Sequence, residues 1–200
     1  MDVVFPKDNE QEFIAIAEKL NIESLCFVYD RPKDIAEFQK HTKIRLSHAI
    51  LCEPDDVKKY KGKYATIVKA PEDHTKLRHI IEKIRPDILY GLEFHRKKDF
   101  IHHRASGLNH VLATLAQQKG VAIAFGFSEI IAAKPQDRAR FIGRMMQNIR
   151  FARKFKFRTV LASFAADPWH MRGKQELVSF FAGIGMNAAD ATDSLNRVGR

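Results

Sequence analysis

Two hundred residues carry 34 Lys/Arg against 24 Asp/Glu, a formal charge of +10 and an isoelectric point near 9.7. With 45% hydrophobic and 29% charged residues, the composition is that of a globular chain able to bury a sizeable core, not of a disordered one. No apolar run approaches the ~20 residues that cross a bilayer, and Met1-Asp2-Val3-Val4-Phe5-Pro6 lacks the basic head and apolar stretch of a signal peptide.

Seven short runs rich in Val, Ile, Leu and Phe recur, at 3–5, 24–29, 44–51, 64–68, 88–92, 121–127 and 159–164. Most are near-continuous in their apolar character, as expected of parallel strands covered on both faces. Helical periodicity lies between them. Residues 10–20 place Phe13, Ile14, Ile16, Ala17 and Leu20 on one side, and 72–85 does so with Leu77, Ile80, Ile81 and Ile84 before Pro86 stops it. Residues 108–119 end at Gly120, and a longer helix over 135–155 starts with Pro135 in its first turn. Cys26 and Cys52 each fall in an apolar strand-like run, and the expectation is two buried free thiols in a reducing, cytoplasmic setting.

Alternating strands and helices imply an α/β fold built of right-handed crossovers. The expected architecture is a single (β/α) TIM-like barrel of about seven strands over residues 1–200, with room for distortion. An open doubly wound sheet is the alternative. The gap between Leu92 and Val121 is where an eighth strand would be missing or irregular, and residues after about 186 read as a short terminal helix, 187–196, or tail.

Nine histidines invite a metal reading, with His48, His95, His102, His103, His110 and His170 as candidates. Metal-dependent barrel hydrolases place ligands at the C-terminal strand ends, often from an His-x-His pair after the first strand. Here the first strand is followed by Phe5-Pro6-Lys7-Asp8, and the last by Ser163-Phe164-Ala165-Ala166 with no Asp-x-His. His102 and His103 are neighbours, and on a regular strand they would face opposite sides. They are expected to order a loop or meet phosphate. No Gly-x-Gly-x-x-Gly or Gly-Lys-Ser/Thr loop is present, so Gly91 and Gly107 are expected at turns or close contacts. Glu93, followed by Arg96 and Lys97, reads as half of an ordinary ion pair.

Charge segregation is the more informative signal. Residues 96–158 hold 14 Lys/Arg and 3 Asp/Glu, whereas the remainder of the chain is close to neutral. On the 135–155 helix, Ile142, Met145, Met146, Ile149 and Ala152 make an apolar stripe, while Arg140, Arg144, Gln147, Arg150 and Lys154 line another face. Arg153, Lys156 and Arg158 extend the charge, and no acid occurs between Asp137 and Asp167. Like charges one helical turn apart repel, so a cationic face of this kind costs stability unless an anion offsets it. The expected anion is RNA, with an anionic membrane as the alternative.

The phrases Tyr90-Gly91-Leu92-Glu93, Asp99-Phe100-Ile101-His102-His103-Arg104-Ala105-Ser106-Gly107-Leu108-Asn109 and Lys119-Gly120-Val121-Ala122-Ile123 carry a resemblance. So do Gly143-Arg144-Met145-Met146-Gln147-Asn148-Ile149-Arg150, Ala162-Ser163-Phe164-Ala165 and the opening Asp2-Val3-Val4-Phe5-Pro6. Over nearly its whole length the chain resembles the archaeal ribonuclease P protein component 3 family. That resemblance implies a barrel related to phosphoesterases of the polymerase-and-histidinol-phosphatase type, although the metal-binding His-x-His and Asp-x-His of that superfamily are missing. It also implies a protein subunit of the ribonucleoprotein endonuclease that removes 5′ leaders from precursor tRNA. Chemistry and Mg2+ would belong to the RNA, with no cofactor on this chain. The partners implied are ribonuclease P RNA, protein component 2 and the other protein subunits, precursor tRNA as substrate, and no membrane. Arg104, Lys119 and Arg172 lie in or beside the family-like phrases and are first choices for RNA or partner contact. Arg144 and Arg150 follow, and Arg153 and Lys154 rest on local charge. Arg104 could instead pair with Asp99, and Arg172 could be an ordinary loop residue. A metal-dependent phosphoesterase and a general RNA-binding barrel are the alternative functions.

Overall fold

The seven apolar runs become seven parallel strands whose order in the sheet is their order in the sequence. The structure, a computed structural model, describes residues 1–95 and 98–195. The strands are β1 (Asp2–Val4), β2 (Ser24–Tyr29), β3 (Arg45–Leu51), β4 (Ala65–Lys69), β5 (Ile88–Tyr90), β6 (Ala122–Gly126) and β7 (Thr159–Ala162). The helices between and after them are α1 (Glu10–Lys19), α2 (Ala36–Lys40), α3 (Val57–Tyr60), α4 (His74–His79), α5 (His110–Lys119), α6 (Ser128–Ala132), α7 (Pro135–Phe155), α8 (Lys174–Gly183) and α9 (Ala188–Ser194). Sequential order, uniformly parallel, is a barrel topology. A doubly wound sheet would reverse its order at a switch point.

Strand alternation divides the core. Cys26, Val28, Ala49, Ile67, Ile88, Ala122, Ala124, Val160 and Ala162 pack together inside the barrel. The alternate residues Val68, Leu89, Ile123, Phe125 and Leu161 pack outward against Leu112, Ala116, Met145 and Ile149 of the helices. Alanines on the inner face suit a ring of only seven strands, whose lumen is narrower than that of eight.

The ring closes at a seam rather than a full ladder. Val4 and Ala165 form a single parallel bridge, and the Phe5 amide donates to the Ala165 carbonyl at 2.8 Å. The buried Asp2 carboxylate strengthens the seam. It accepts from the Ser163 amide and from the Ser163 hydroxyl, each at 2.6 Å.

Two expectations about the elements need correction. β5 pairs directly with β6, Ile88 opposite Ala122, so among the described residues no strand lies between them. That gap is a long loop followed by α5. The helix expected over 72–85 starts at His74, capped by Asp73, whose side chain accepts from the Thr75 and Lys76 amides at 2.8 Å. It widens into a π turn over Ile80–Ile84 before Arg85 turns left-handed at φ 58°. The terminal helix is α9, capped by Asn187 and tied to β7 through Ser194 and Thr159, whose hydroxyls lie 2.5 Å apart. The expected end at Asn196 lies outside the described residues.

Both cysteines are free, but only Cys26 is buried; Cys52 is partly exposed. Burial pushes both thiols up to about 11. Among the described residues no helix is long and apolar enough to cross a membrane.

Candidate nucleic-acid interface

The 91–109 loop leaves the C-terminal end of β5 and is stapled to the middle of α7. Gly91 turns it at φ 83°. Gly107, at φ 82°, lets it pass Leu92, where a Cβ would come within 2.8 Å of the leucine side chain. Asp99 is the hub. Its Oδ1 accepts from the Ala105 amide at 3.0 Å and from Arg144 Nε at 2.7 Å. Arg144 Nη1 also donates to the carbonyls of Glu93, at 3.1 Å, and His95, at 2.7 Å. One turn along α7, Gln147 donates to the Ser106 hydroxyl at 3.0 Å, and Asn148 donates to the Ser106 carbonyl at 2.9 Å. Asn109 then caps α5 through the Leu112 amide, 2.9 Å away. Burial alone would raise the Asp99 carboxyl. The Arg144 hydrogen bond, the Ala105 amide and the charges of Arg144 and Arg104 together hold it below the usual carboxylate range.

Arg144 therefore departs from its expected place on a solvated cationic face. It is 0% exposed and the largest fully buried side chain. Helical spacing assigned it to the face of Arg140, but the loop arriving from Asp99 covers that edge of the helix. Arg140 is itself half-buried and paired with Asp137.

What remains open to solvent is a ridge. The Arg104 guanidinium lies across Gly143, where a Cβ would overlap it, and Arg104 Nη1 stands 3.5 Å from Asp99 Oδ2. Positions 143, 147, 150 and 154 fall on one helical face, so Arg104, Arg150 and Lys154 follow one another along α7. Arg150, Arg153 and Lys154 are exposed, and among the described residues none of them forms an ion pair with an acid. Arg153 reaches the Gly185 carbonyl at 3.5 Å, and the Lys154 ammonium lies 5.5 Å from the Phe155 ring centroid. Lys119 closes the last turn of α5, half-buried. Its neighbour Gly120 accepts a hydrogen bond from Arg158, which brings the C-terminal ends of α5 and α7 together. Arg172 stands apart from the ridge, between β7 and α8. Its Nη1 donates to the carbonyls of Trp169 and Met171 at 2.9 and 2.6 Å. Arg96 and Lys97, where the basic segment begins, lie outside the described residues.

The barrel mouth, where a metal-dependent barrel would gather its ligands, is filled by rings. Tyr90 stacks on Phe164 with centroids 4.5 Å apart, and Phe5 sits 5.9 Å from Tyr90 and 6.0 Å from Phe164. Gly126 makes room: a Cβ there would meet Tyr90 at 3.0 Å and Phe164 at 3.3 Å. Tyr90 donates its hydroxyl to Glu129 at 2.6 Å. Beside them Glu93 is 0% exposed, and among the described residues neither of its oxygens meets a hydrogen-bond donor from another residue. Burial pushes its carboxyl up to about 8, and Glu129 adds to the rise while Arg144 opposes it. The ordinary ion pair expected for Glu93 involved Arg96 and Lys97, outside the described residues. These side chains do not fit a metal centre. Among the described residues no group of three His, Cys, Asp or Glu could hold an ion. His102 and His103 are exposed on the loop, His48 packs between Tyr29 and Tyr64, His95 faces Glu72 at 3.8 Å, and His170 meets Ser128 at 3.4 Å.

Neither the aromatic mouth nor the Arg144 staple was anticipated. The signal for the mouth was Phe5, Tyr90 and Phe164 standing at the ends of three strands, legible only once strand order is known.

The sequence pattern of the RNase P subunit p30 family matches residues 6–200. The chain belongs to that family. A Ribonuclease P protein component 3 from Thermococcus kodakarensis is 36% identical over 90 residues, covering 45% of this chain and 41% of the relative. The protein of the same name from Methanocaldococcus jannaschii is 28% identical over 179 residues, covering 90% of this chain and 68% of the relative. The matched stretch thus spans about two fifths of the length of the Thermococcus relatives. Among solved structures, a chain of the cryo-EM structure of archaeal Ribonuclease P with mature tRNA superposes with a TM-score of 0.80 at 20% identity. The superposition covers 98% of this chain and 88% of that one, and it shows that the two chains share a fold.

Proposed function

We propose that this p30-family chain is a non-catalytic, RNA-binding protein subunit of ribonuclease P, acting in the removal of 5′ leaders from precursor tRNA. The observation that carries the reading is the ridge Arg104–Arg150–Arg153–Lys154, exposed along α7 with no neutralising acid between 138 and 166 in the sequence. Such a ridge suits closely spaced phosphates. Each Lys/Arg contact with a phosphate releases counterions, and the planar fork of arginine can bridge two phosphate oxygens. Catalysis and Mg2+ are assigned to the RNA subunit, and no cofactor to this chain; the ring-filled barrel mouth is in keeping with that division.

The RNA bound is ribonuclease P RNA, in company with protein component 2 and the other protein subunits, in the cytoplasm. Lys119 extends the ridge from α5, and Arg144 supports it from beneath by fixing the loop that carries Arg104. Arg172, with its fork engaged by backbone carbonyls, is assigned to partner contact rather than to the ridge.

The test is leader cleavage of precursor tRNA by the holoenzyme assembled with and without this chain. Omission is expected to lower the rate or raise the Mg2+ requirement. No change in either would refute the reading.

A further inference from the structure

The turn over 100–103 displays the most exposed apolar side chain of the described residues. The Phe100 amide donates to the His103 carbonyl at 2.9 Å, tying together the two ends of a bend with Ile101 and His102 at its tip. Ile101 is 95% exposed and Phe100 58%. The Phe100 ring stacks on the His103 imidazole with centroids 4.4 Å apart and planes 21° from parallel. A slack loop would fold such groups onto the nearest apolar surface. This one is held out, because residue 99 is fixed by Arg144 and Ala105, and residue 106 by Gln147 and Asn148. Exposure on a rigid base points to a surface kept ready for contact.

The surroundings indicate what it meets. Lys98, His102 and Arg104 flank the stacked pair, all exposed, and the neighbouring acid Asp99 is engaged by Arg144 and Arg104. A protein groove receiving Ile101 would favour an apolar collar around it, and here the collar is cationic and polar. Flat π faces beside the exposed Lys98 and Arg104 match single-stranded nucleic acid, where bases stack on aromatic side chains while phosphates meet Lys and Arg.

We propose that the Phe100–His103 pair is a stacking platform for an unpaired RNA base, placed at the head of the phosphate-binding ridge. The proposal rests on the RNA-binding reading above and adds a base contact to it. The platform favours a loop, bulge or single-stranded segment over a continuous duplex, since only an unstacked base can lie on the ring.

The test compares the full-length chain with Phe100→Ala and Phe100→Trp on two probes, a ribonuclease P RNA transcript and a short, fully paired RNA duplex. Phe100→Ala is expected to weaken transcript binding by about tenfold, the range of one base–aromatic stack. Phe100→Trp should keep the affinity, duplex binding should not change, and the salt slope should stay as in wild type because no phosphate contact is lost. If Phe100→Ala binds the transcript like wild type while Arg150→Ala binds it more weakly, the platform is refuted and the RNA-binding reading stands. Equal losses on transcript and duplex would also refute it, by showing damage to the ridge instead. Unchanged RNA binding with lost co-assembly with protein component 2 would make the tip a protein contact and overturn the proposal. A wild-type chain that binds no transcript would sink both readings together.

Discussion

Arg144 and Asp99, 45 residues apart in sequence, are joined by a 2.7 Å hydrogen bond that fixes the 91–109 loop to the middle of α7. An arginine that helical spacing places on the cationic face of α7 is thereby turned inward, where it holds the loop that carries Arg104 and the Phe100 turn. The distinction has consequences for mutagenesis. Loss of Arg144 should unseat the loop, whereas loss of Arg150 should remove one phosphate contact and little else.

Arg144→Met keeps much of the side-chain volume but leaves Asp99 and the carbonyls of Glu93 and His95 without their donor. The expected loss of stability is about 1–3 kcal/mol, the scale for leaving buried acceptors without their donor. Urea denaturation measures it. Asp99→Asn adds a pH signature. The Asp99 carboxyl is held below its ordinary value in the fold, so its contribution is present above the unfolded value near 4 and is lost as pH falls through the folded one. The stability gap between wild type and Asp99→Asn should therefore close on acidification; a gap that widens would contradict the assignment.

Gly143→Ala isolates Arg104 without altering any charge. A Cβ at 143 would occupy the space of the Arg104 guanidinium, which must swing away. Alanine in a helix interior gains about 0.5–1 kcal/mol over glycine. The variant is therefore expected to be no less stable in urea than wild type, yet to bind RNA as weakly as Arg104→Ala. Wild-type affinity in Gly143→Ala would show that the seat of Arg104 on α7 is irrelevant to binding.

Glu93 should make stability fall with alkalinity. Its folded-state carboxyl is raised to about 8, so the fold binds a proton that the unfolded chain releases above about pH 4.5. Stability tied to that proton is full below the unfolded value and is lost as pH rises through the folded one. Between about pH 5 and about pH 8.5 the loss is on the order of 3 kcal/mol. Glu93→Gln, which carries no titratable group there, should show a flatter profile over the same range in urea denaturation. Parallel profiles for the two proteins would contradict the burial of a proton at Glu93.

The barrel seam offers a fourth measurement. Ser163→Ala removes the hydroxyl that donates to Asp2 at 2.6 Å and leaves a buried carboxylate oxygen without that donor. A loss of about 1–3 kcal/mol is expected. Hydrogen exchange should quicken at the Phe5 amide, which bonds across the seam to Ala165. Unchanged exchange there would place the closure of the ring elsewhere.

Strands and the longest helix were legible because their signals are local. Apolar runs marked all seven strands to within two residues at either end, and Pro135 together with the periodicity through Phe155 set both ends of α7. The cationic surface was legible only in part. Local charge pointed to Arg150, Arg153 and Lys154, which are exposed, and Arg104 was reached through the family-like phrase that contains it. Arg144 was misplaced because a helical wheel cannot show that a loop beginning 53 positions earlier, at Gly91, will cover one edge of the helix. Glu93 read as half of an ordinary ion pair for the same reason: its burial, and the charges of Arg144 and Glu129 that act on it, come from elsewhere in the chain. Residues 92–121 suggested a missing strand because a loop of such length is uncommon in a compact barrel unless it has a function of its own.

The most direct test of the RNA-binding ridge is the salt dependence of binding to a ribonuclease P RNA transcript, compared between wild type and the double variant Arg150→Ala, Lys154→Ala. Each phosphate contact contributes about one unit to the slope of log affinity against log salt. The double variant is expected to bind more weakly at low salt, with a slope shallower by about 2. An unchanged slope with unchanged affinity would contradict the account and place these cations outside the RNA interface.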